Sequence, residues 1–286
     1  MRGRRQLRAL RREPTAIAAL AIASTLLAVA VLLPIFVRTD FAEANLLERL
    51  KAPSWLGGSG LLGTDQLGRD LALRIVHGLR TSFGVALLAT MVGGLIGTAV
   101  GLVAGYFGGR LDALLMRLTD IQMSLPGLLI VMVLVGVFGG GVRSLVIVLG
   151  VNSWMLYARV LRAAVLTMRS SDLVVATQGL GAGSTRIILR HILPNNLVPI
   201  VAVTALEFSR IMLAEASLSF LGFGVSPPQV SLGAMLAQGR DYLQTSWWIA
   251  TFSGLFLALT VLSTNLIGSW LQRSSDPVSA MRGGLD

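Results

Sequence analysis

Six apolar runs, each roughly 20 residues long, limit what this chain can fold into. A helix rises ~1.5 Å per residue, so a run of this length crosses the ~30 Å of hydrocarbon in a lipid bilayer. The runs cover residues 15–36, 82–107, 121–138, 144–164, 197–220 and 247–271. The third is the shortest and contains Pro126. The pattern predicts an all-α integral membrane protein with six transmembrane helices.

The composition favours the same environment. Of the 286 residues, 54% are hydrophobic and 13% are charged, whereas a soluble protein has about 25% charged residues. With no Cys and two His far apart, the sequence excludes disulfides and Cys-based metal sites, and we expect no metal site. The basic excess lies at the ends of apolar runs and not in one aromatic-studded patch, which indicates membrane topology and no nucleic-acid partner.

The charge distribution predicts the orientation. The first run follows "MRGRRQLRALRRE" and exceeds the ~7–15 apolar residues of a signal peptide, so we expect an uncleaved first span. By the positive-inside rule, these arginines place the N-terminus in the cytoplasm, and six spans return the C-terminus there. The predicted parts are cytoplasmic tails at 1–14 and 272–286, an external loop with short helices at 37–81, and a five-helix core at 82–271.

Residues 171–195, here called the elbow, form the longest predicted cytoplasmic loop. The glycine-rich "GLGAGST" within it lacks the Lys of a phosphate-binding loop, so nucleotide binding is not expected. We expect Gly181 and Gly183 to separate two short helices, the second running toward Pro194. The expected caps are Ser171 or Asp172 for the first helix and Ser184 or Thr185 for the second.

The elbow resembles the EAA loop of bacterial ABC-importer permeases, which docks into a cleft of the ATPase subunit. The likeness rests on Ala176 and Gly181, followed by Leu193 and Pro194. This chain has Val-Ala-Thr at 175–177 where the family usually has Glu-Ala-Ala, so a salt bridge from that Glu is not implied. The implied ATPase-coupling residues are Asp172, Val175, Ala176, Thr177, Gly181, Ala182, Arg186, Arg190, Leu193 and Pro194.

Two further stretches narrow the resemblance. "GTDQLGRDLALRIVHGLRTS" at 63–82 and "LAEASLSFLGFGVSPPQVSLGAMLAQGRDYL" at 213–243 are similar to the C-type permease subunit of dipeptide, oligopeptide and nickel importers. "RHILPNN" and the Asp276-Pro277 pair extend the likeness. It implies a type I importer fold in the inner membrane, paired with a second permease, two ATPases and an external substrate-binding protein. ATP and Mg would be bound by the ATPases, and this chain would bind no cofactor.

A row of glycines in the second run predicts close helix packing. Spaced four apart, they share one helix ridge, where another backbone can approach closely. The spacing allows a contact within the subunit or with a partner subunit, and we expect the contact within the subunit. The row comprises Gly93, Gly97, Gly101, Gly105 and Gly109.

The fifth run carries three ionisable residues, Glu207, Arg210 and Glu215. Charges inside a bilayer usually face a polar cavity or one another, so all three are candidates for the translocation path. Glu207 and Arg210, three residues apart, could instead neutralise each other. Glu215 is expected near the outer end, where it could reach the external interface and need no partner.

Charged residues in the predicted outer segments are the candidates for docking the binding protein. Those before the second span are also typical of a solvated, capped helix start. The candidates are Asp65, Arg69, Asp70, Arg240 and Asp241.

Two other classes of membrane protein compete with a non-catalytic permease subunit. A self-contained secondary transporter usually shows internal repeats, which are not evident in this sequence. An intramembrane serine hydrolase would need a base near Ser253, and neither His lies in a span. The sequence therefore predicts a permease subunit for di- or oligopeptides, with nickel, glutathione or another small solute as alternative substrates.

Overall fold

The computed structural model describes residues 13–36 and 43–275, and this part of the chain is helical and without strands. The helices are α1 (Pro14–Phe36), α2 (Leu71–Phe107), α3 (Gly109–Met123), α4 (Gly127–Phe138), α5 (Val142–Arg169), α6 (Asp172–Gly179), α7 (Ser184–Ile187), α8 (Leu193–Asn195), α9 (Leu197–Phe220), α10 (Leu232–Arg240) and α11 (Trp248–Ser275). Two 3-10 turns, Leu46–Glu48 and Ser54–Leu56, precede α2, and a π-helical turn, Ile188–Ile192, joins α7 to α8. The N-terminal arginines and Asp276-Pro277 lie outside the described residues.

Five helices, α1, α2, α5, α9 and α11, are long and apolar enough to cross a membrane. A sixth crossing requires α3 and α4 together, since they pass the same test as a pair. The predicted all-α membrane fold is thus confirmed.

The third predicted span, residues 121–138, is wrong as a single helix. The chain bends by 85° between α3 and α4. The cause is Pro126, which lacks an N–H for helical bonding and disfavours helical geometry in the residue before it. Pro126 has extended backbone angles, φ −62° and ψ 107°, at the start of α4. With 12 residues, α4 is only about 18 Å long, too short to cross hydrocarbon alone.

The predicted external loop at 37–81 is too long at its C-terminal end, because α2 begins at Leu71. Asp70 caps this helix, and its Oδ1 accepts a hydrogen bond of 3.0 Å from the Leu73 amide. Mixed charges such as Arg74 indicated a helix start, but the predicted span began only with the apolar run at residue 82. The helix extends beyond the apolar run because that charge is paired, as described below.

Four glycines of the predicted row form a seam between α2 and α5 within the subunit. A methyl group on Gly97 would overlap the Trp154 carbonyl, and one on Gly93 would overlap the Ser153 side chain. A methyl on Gly101 would lie 2.7 Å from the Ala158 carbonyl oxygen. Further along, Gly105 faces Val165 in the same way. The helices approach this closely because those side chains are missing.

Gly109 does not belong to this seam, which corrects the five-member prediction. It follows the end of α2 at Gly108, where both glycines have positive φ, +67° and +61°. No atom lies within 4 Å of a Cβ built on Gly109. Its role is the turn into α3, a conformation that favours glycine.

Two ends of the helix bundle differ in construction. One end, the cap, comprises residues 43–70 and residues 232–241, which include α10. The elbow lies at the other end, where Glu13 and Arg273 also meet at 3.5 Å. Between the ends, buried apolar side chains of α1, α2, α4, α5, α9, α10 and α11 form one continuous core.

Candidate functional site

The elbow consists of α6, a glycine turn and the helical stretch from α7 to α8. Gly181 separates the two parts with φ +77°, as its position predicted. Ser171, one of the two predicted residues, occupies the N-terminal cap position of α6, but its hydroxyl donates to the Met168 carbonyl at 2.7 Å and makes no cap bond. The residue at the N-terminal cap of α7 is Gly183 and not Ser184 or Thr185.

A small apolar core attaches the elbow to α2 and α5. Val174 of α6 and Ile187 of α7 are both fully buried. They pack with Ile192 and with Leu102, Tyr106, Leu161 and Val165 of the two long helices. Gln178 adds a hydrogen bond of 3.4 Å from its Nε2 to the Tyr106 hydroxyl. The elbow is thereby fixed to the two helices of the glycine seam.

Most of the predicted coupling residues lie on the exposed side of the elbow. Thr177, Ala182 and Leu193 are half-buried. The exposed ones are Asp172, Val175, Ala176, Gly181, Arg186, Arg190 and Pro194. Within residues 13–36 and 43–275, neither arginine of the elbow forms an ion pair. Their charges remain available to another molecule.

Sequence reasoning missed the apolar part of this surface. Leu173 on α6 is 51% exposed, and Leu180, the residue directly after α6, is 89% exposed, with exposed Ala176 between them. This i, i+3, i+7 spacing puts all three on one helix face. The spacing is visible in the sequence, but the sequence does not show whether an apolar residue in a loop is exposed or buried.

Glu207 and Arg210 on α9 form the neutralising pair that the sequence left as one of two alternatives. The Glu207 carboxylate is 1% exposed and accepts from Arg210 Nε at 2.9 Å and from Nη2 at 2.8 Å. The arginine side chain is 54% exposed. One partner of the pair is thus buried in the subunit, while the other reaches its surface.

A cavity of about 180 Å³ lies beside Arg210, between α4, α5 and α9. Gly127 and Val131 line it from α4, Asn152 from α5, and Ala214 from α9. Arg210 is the one charged residue in its wall. The cavity therefore lies directly after the break between α3 and α4.

Polar side chains also join the end of α3 to α5 at this level. Gln122 donates from Nε2 to Asn152 Oδ1 at 3.3 Å and accepts from Trp154 Nε1 at 2.9 Å. Nearer the elbow, Arg162 holds Asp112 through two hydrogen bonds of 2.5 and 2.7 Å. These bonds hold α3 against α5.

Glu215 does not reach an external surface, which corrects the sequence-based expectation. It is fully buried. Its carboxylate accepts from Ser82 of α2 at 2.9 Å and from Ser219 at 2.7 Å. The Ser82 hydroxyl also accepts from the Leu232 amide of α10 at 3.4 Å. Glu215 therefore ties α2, α9 and the cap together and lines no path.

Asp65 is likewise removed from the docking candidates, because it is fully buried in the cap. It accepts from Arg69 Nε at 2.7 Å and forms an ion pair with Arg74, whose side chain is 4% exposed. Arg74 Nη2 in turn donates to Gln238 of α10 at 3.1 Å. These residues form a buried ionic cluster that fastens the cap loop to α2 and α10.

Of the other docking candidates, two have side chains engaged in the fold and two have exposed side chains. Asp70 caps α2, and the Arg69 side chain is only 17% exposed. Arg240 and Asp241 are exposed, 3.4 Å apart, and Arg240 lies over the Phe220 ring at 5.8 Å. Only these last two, among the five candidates, present largely exposed side chains.

Long packed helices, a broken span and an elbow between α5 and α9 define the fold of a type I ABC importer permease. A chain in a structure titled "Inward facing conformations of the MetNI methionine ABC transporter" matches with a TM-score of 0.59. The match covers 72% of this chain and 98% of that chain at 18% sequence identity. At this identity the likeness concerns the fold alone.

Residues 97–278 match the family described as "Binding-protein-dependent transport system inner membrane component". The chain belongs to this family, and it is a multi-pass inner-membrane permease component.

Several curated relatives cover most of the chain. The di/tripeptide transport system permease protein DppC of Pseudomonas aeruginosa is 41% identical over 80% of this chain and 76% of its own length. The dipeptide transport system permease protein DppC of Alkalihalophilus pseudofirmus is 33% identical over 96% and 89%. An oligopeptide permease protein, OppC of Bacillus subtilis, is 34% identical over 93% and 87%. These matches confirm the resemblance seen in the sequence and do not favour a secondary transporter.

Proposed function

We propose that this chain forms half of the translocation pathway of an ATP-driven importer of di- or oligopeptides. The observation that carries the proposal is the similarity, over most of the chain, to permease proteins named for di/tripeptide, dipeptide and oligopeptide transport. The buried anchor and exposed face of the elbow support the coupling function. Affinity for the peptide would lie mainly in the external binding protein.

The elbow would dock on an ATPase subunit in the cytoplasm. Its exposed leucines would enter an apolar cleft, and Arg186 and Arg190 would meet acidic side chains around it. ATP and Mg would bind to two such ATPase subunits, and this chain would hold neither. Closure of the ATPases on ATP would move the elbow together with α2 and α5, because the small apolar core joins them. Hydrolysis would then reset the path.

A second permease subunit would cover the surface of α9 that presents Arg210. A half-exposed guanidinium at mid-span is costly against lipid, so this surface fits a protein interface or a water-filled path. The external binding protein would dock at the cap, where Arg240 and Asp241 remain exposed.

Reconstitution tests the proposal. The complex of this chain with the second permease, the ATPases and the binding protein is placed in proteoliposomes. Radiolabelled dialanine should accumulate only with ATP and the binding protein. Import of nickel and import of glutathione are measured in the same proteoliposomes. Import of nickel or glutathione without import of any di- or oligopeptide would contradict the peptide assignment.

Cysteine labelling tests the proposed orientation, with both termini and the elbow in the cytoplasm. The chain has no Cys, so a single introduced thiol gives a clean signal. Ser54→Cys in the cap should react with a membrane-impermeant reagent in intact cells. Thr185→Cys in the elbow should react only after the membrane is opened, and its labelling in intact cells would reverse the orientation. Both positions are exposed.

A further inference from the structure

We propose that Arg210 binds the free C-terminal carboxylate of the peptide as it passes the break between α3 and α4. The inference rests on the proposed peptide function and adds a residue and a substrate group to it. Arg210 lines the 180 Å³ cavity together with Asn152, and its side chain is 54% exposed.

The hydrogen bonds of Arg210 leave one edge of the guanidinium unused. Glu207 occupies Nε, at 2.9 and 3.1 Å, and Nη2, at 2.8 Å. Among the residues that the structure describes, none accepts a hydrogen bond from Nη1. A guanidinium has five N–H donors in a planar fork, so the edge formed by Nη1 and Nη2 can still bind a carboxylate in bidentate geometry.

Glu207 acts as a positioning residue for this edge. It is buried in the subunit, and its two oxygens fix both the plane and the direction of the guanidinium. An arginine held in this way loses less conformational entropy when it binds a ligand than a free side chain does. An ion pair with only a structural role could have both side chains buried, whereas in this pair only Glu207 is buried.

The surroundings suit one end of a peptide. Asn152 has its Oδ1 occupied by Gln122, and its Nδ2 lies 3.3 Å from a Cβ built on Gly127. Because Gly127 has no side chain, space remains beside the Asn152 side-chain amide, which can donate a hydrogen bond. Ligand sites usually enclose about 300–1,000 Å³, so a cavity of about 180 Å³ provides part of a site. The second permease would complete it around the rest of the peptide.

The test compares dialanine with its C-terminal amide in the reconstituted complex. Import rates are divided by the amount of peptide-loaded binding protein, so that loading differences cancel. The preference for the free acid is the ratio of the two rates. It is measured in the unchanged complex, in the double variant Glu207→Gln with Arg210→Gln, in Arg210→Lys, and in the control Arg143→Gln, an exposed arginine on α5.

We expect the double variant to lose about tenfold in this preference, a change of about 1.4 kcal/mol. Removing both charges together avoids leaving the buried Glu207 unpaired. Arg210→Lys should retain part of the preference, and Arg143→Gln should retain all of it. If import of the acid and of the amide changes by the same factor in the double variant, the preference is unchanged and the inference is overturned. Equal loss would assign Arg210 to a contact with the second permease.

A second variant covers the case in which the double variant does not assemble. Asn152→Asp keeps the size and the oxygen that accepts from Gln122 but adds a negative charge to the cavity. It should slow dialanine while leaving the amide unchanged or faster, and an unchanged ratio of the two import rates would overturn the inference. If the unchanged complex imports neither peptide, the proposed function itself fails.

Discussion

The cap and the elbow close opposite ends of the same helices by different physical means. In the cap, α10 shares the main apolar core, and directional hydrogen bonds between buried charged groups, with Asp65 and Arg74 at the centre, join the parts in addition. In the elbow, apolar side chains such as Val174 and Ile187 make the attachment. Apolar contact has no preferred direction, whereas a buried ion pair tolerates little displacement. The difference indicates that the cap keeps one geometry, whereas the elbow is carried along with α2 and α5 by apolar packing.

The largest effect should come from breaking the cap. Asp65→Asn leaves Arg74 buried and charged without an anionic partner, which should cost about 3–5 kcal/mol. The unfolding temperature of the purified protein in detergent should fall accordingly. Asp241→Asn, in an exposed pair, is the matched control and should cost about 1 kcal/mol or less. Similar losses for the two variants would contradict a structural difference between buried and exposed pairs in the cap.

A smaller and more local effect is expected in the elbow. Ile187→Ala should cost about 3 kcal/mol, because it leaves a cavity in the small core. Hydrogen exchange should accelerate in α6 and α7 and stay unchanged in α10. Leu189→Ala, at a position 58% exposed, is the control and should leave both unchanged. Equal acceleration in α10 would show that the two ends are not separate units.

The smallest effect concerns the shape of the elbow alone. Gly181 has positive φ, and no atom lies within 4 Å of a Cβ built on it, so Gly181→Val introduces backbone strain without a clash. The strain is about 1–2 kcal/mol. Peptide-stimulated ATPase activity should fall while membrane insertion persists. Gly181→Asn tolerates the same backbone angles better and should retain more activity. Full activity in the Val variant would contradict the assigned turn.

Features with a local cause were predictable from the sequence. The glycine row and the turn at Gly181 follow from spacing and backbone preference within a few residues. Pro126 marked the third span as irregular, but a break and a tolerated kink share the same local signal.

Features that depend on distant partners were not predictable. Arg74 reads as a surface charge until Gln238, 164 residues away, accepts a hydrogen bond from its guanidinium. Glu215 reads as a group near the outer surface until Ser82, 133 residues away, donates to it. In both cases the fold brings a hydrogen-bonding partner to the buried charged group, and this partner offsets the cost of burying it. A single sequence does not show which residues will become partners.

The length of α2 has a mechanical consequence. With 37 residues it is about 55 Å long. Near one end its Arg74 pairs with Asp65 of the cap, and at the other its Tyr106 accepts from Gln178 of the elbow. The glycine seam from Gly93 to Gly105 joins α2 to α5 over about 18 Å of its length, and two helices packed together resist bending more than either helix alone. A displacement of the elbow would therefore tilt α2 and α5 together and would move the end of α2 that lies in the cap.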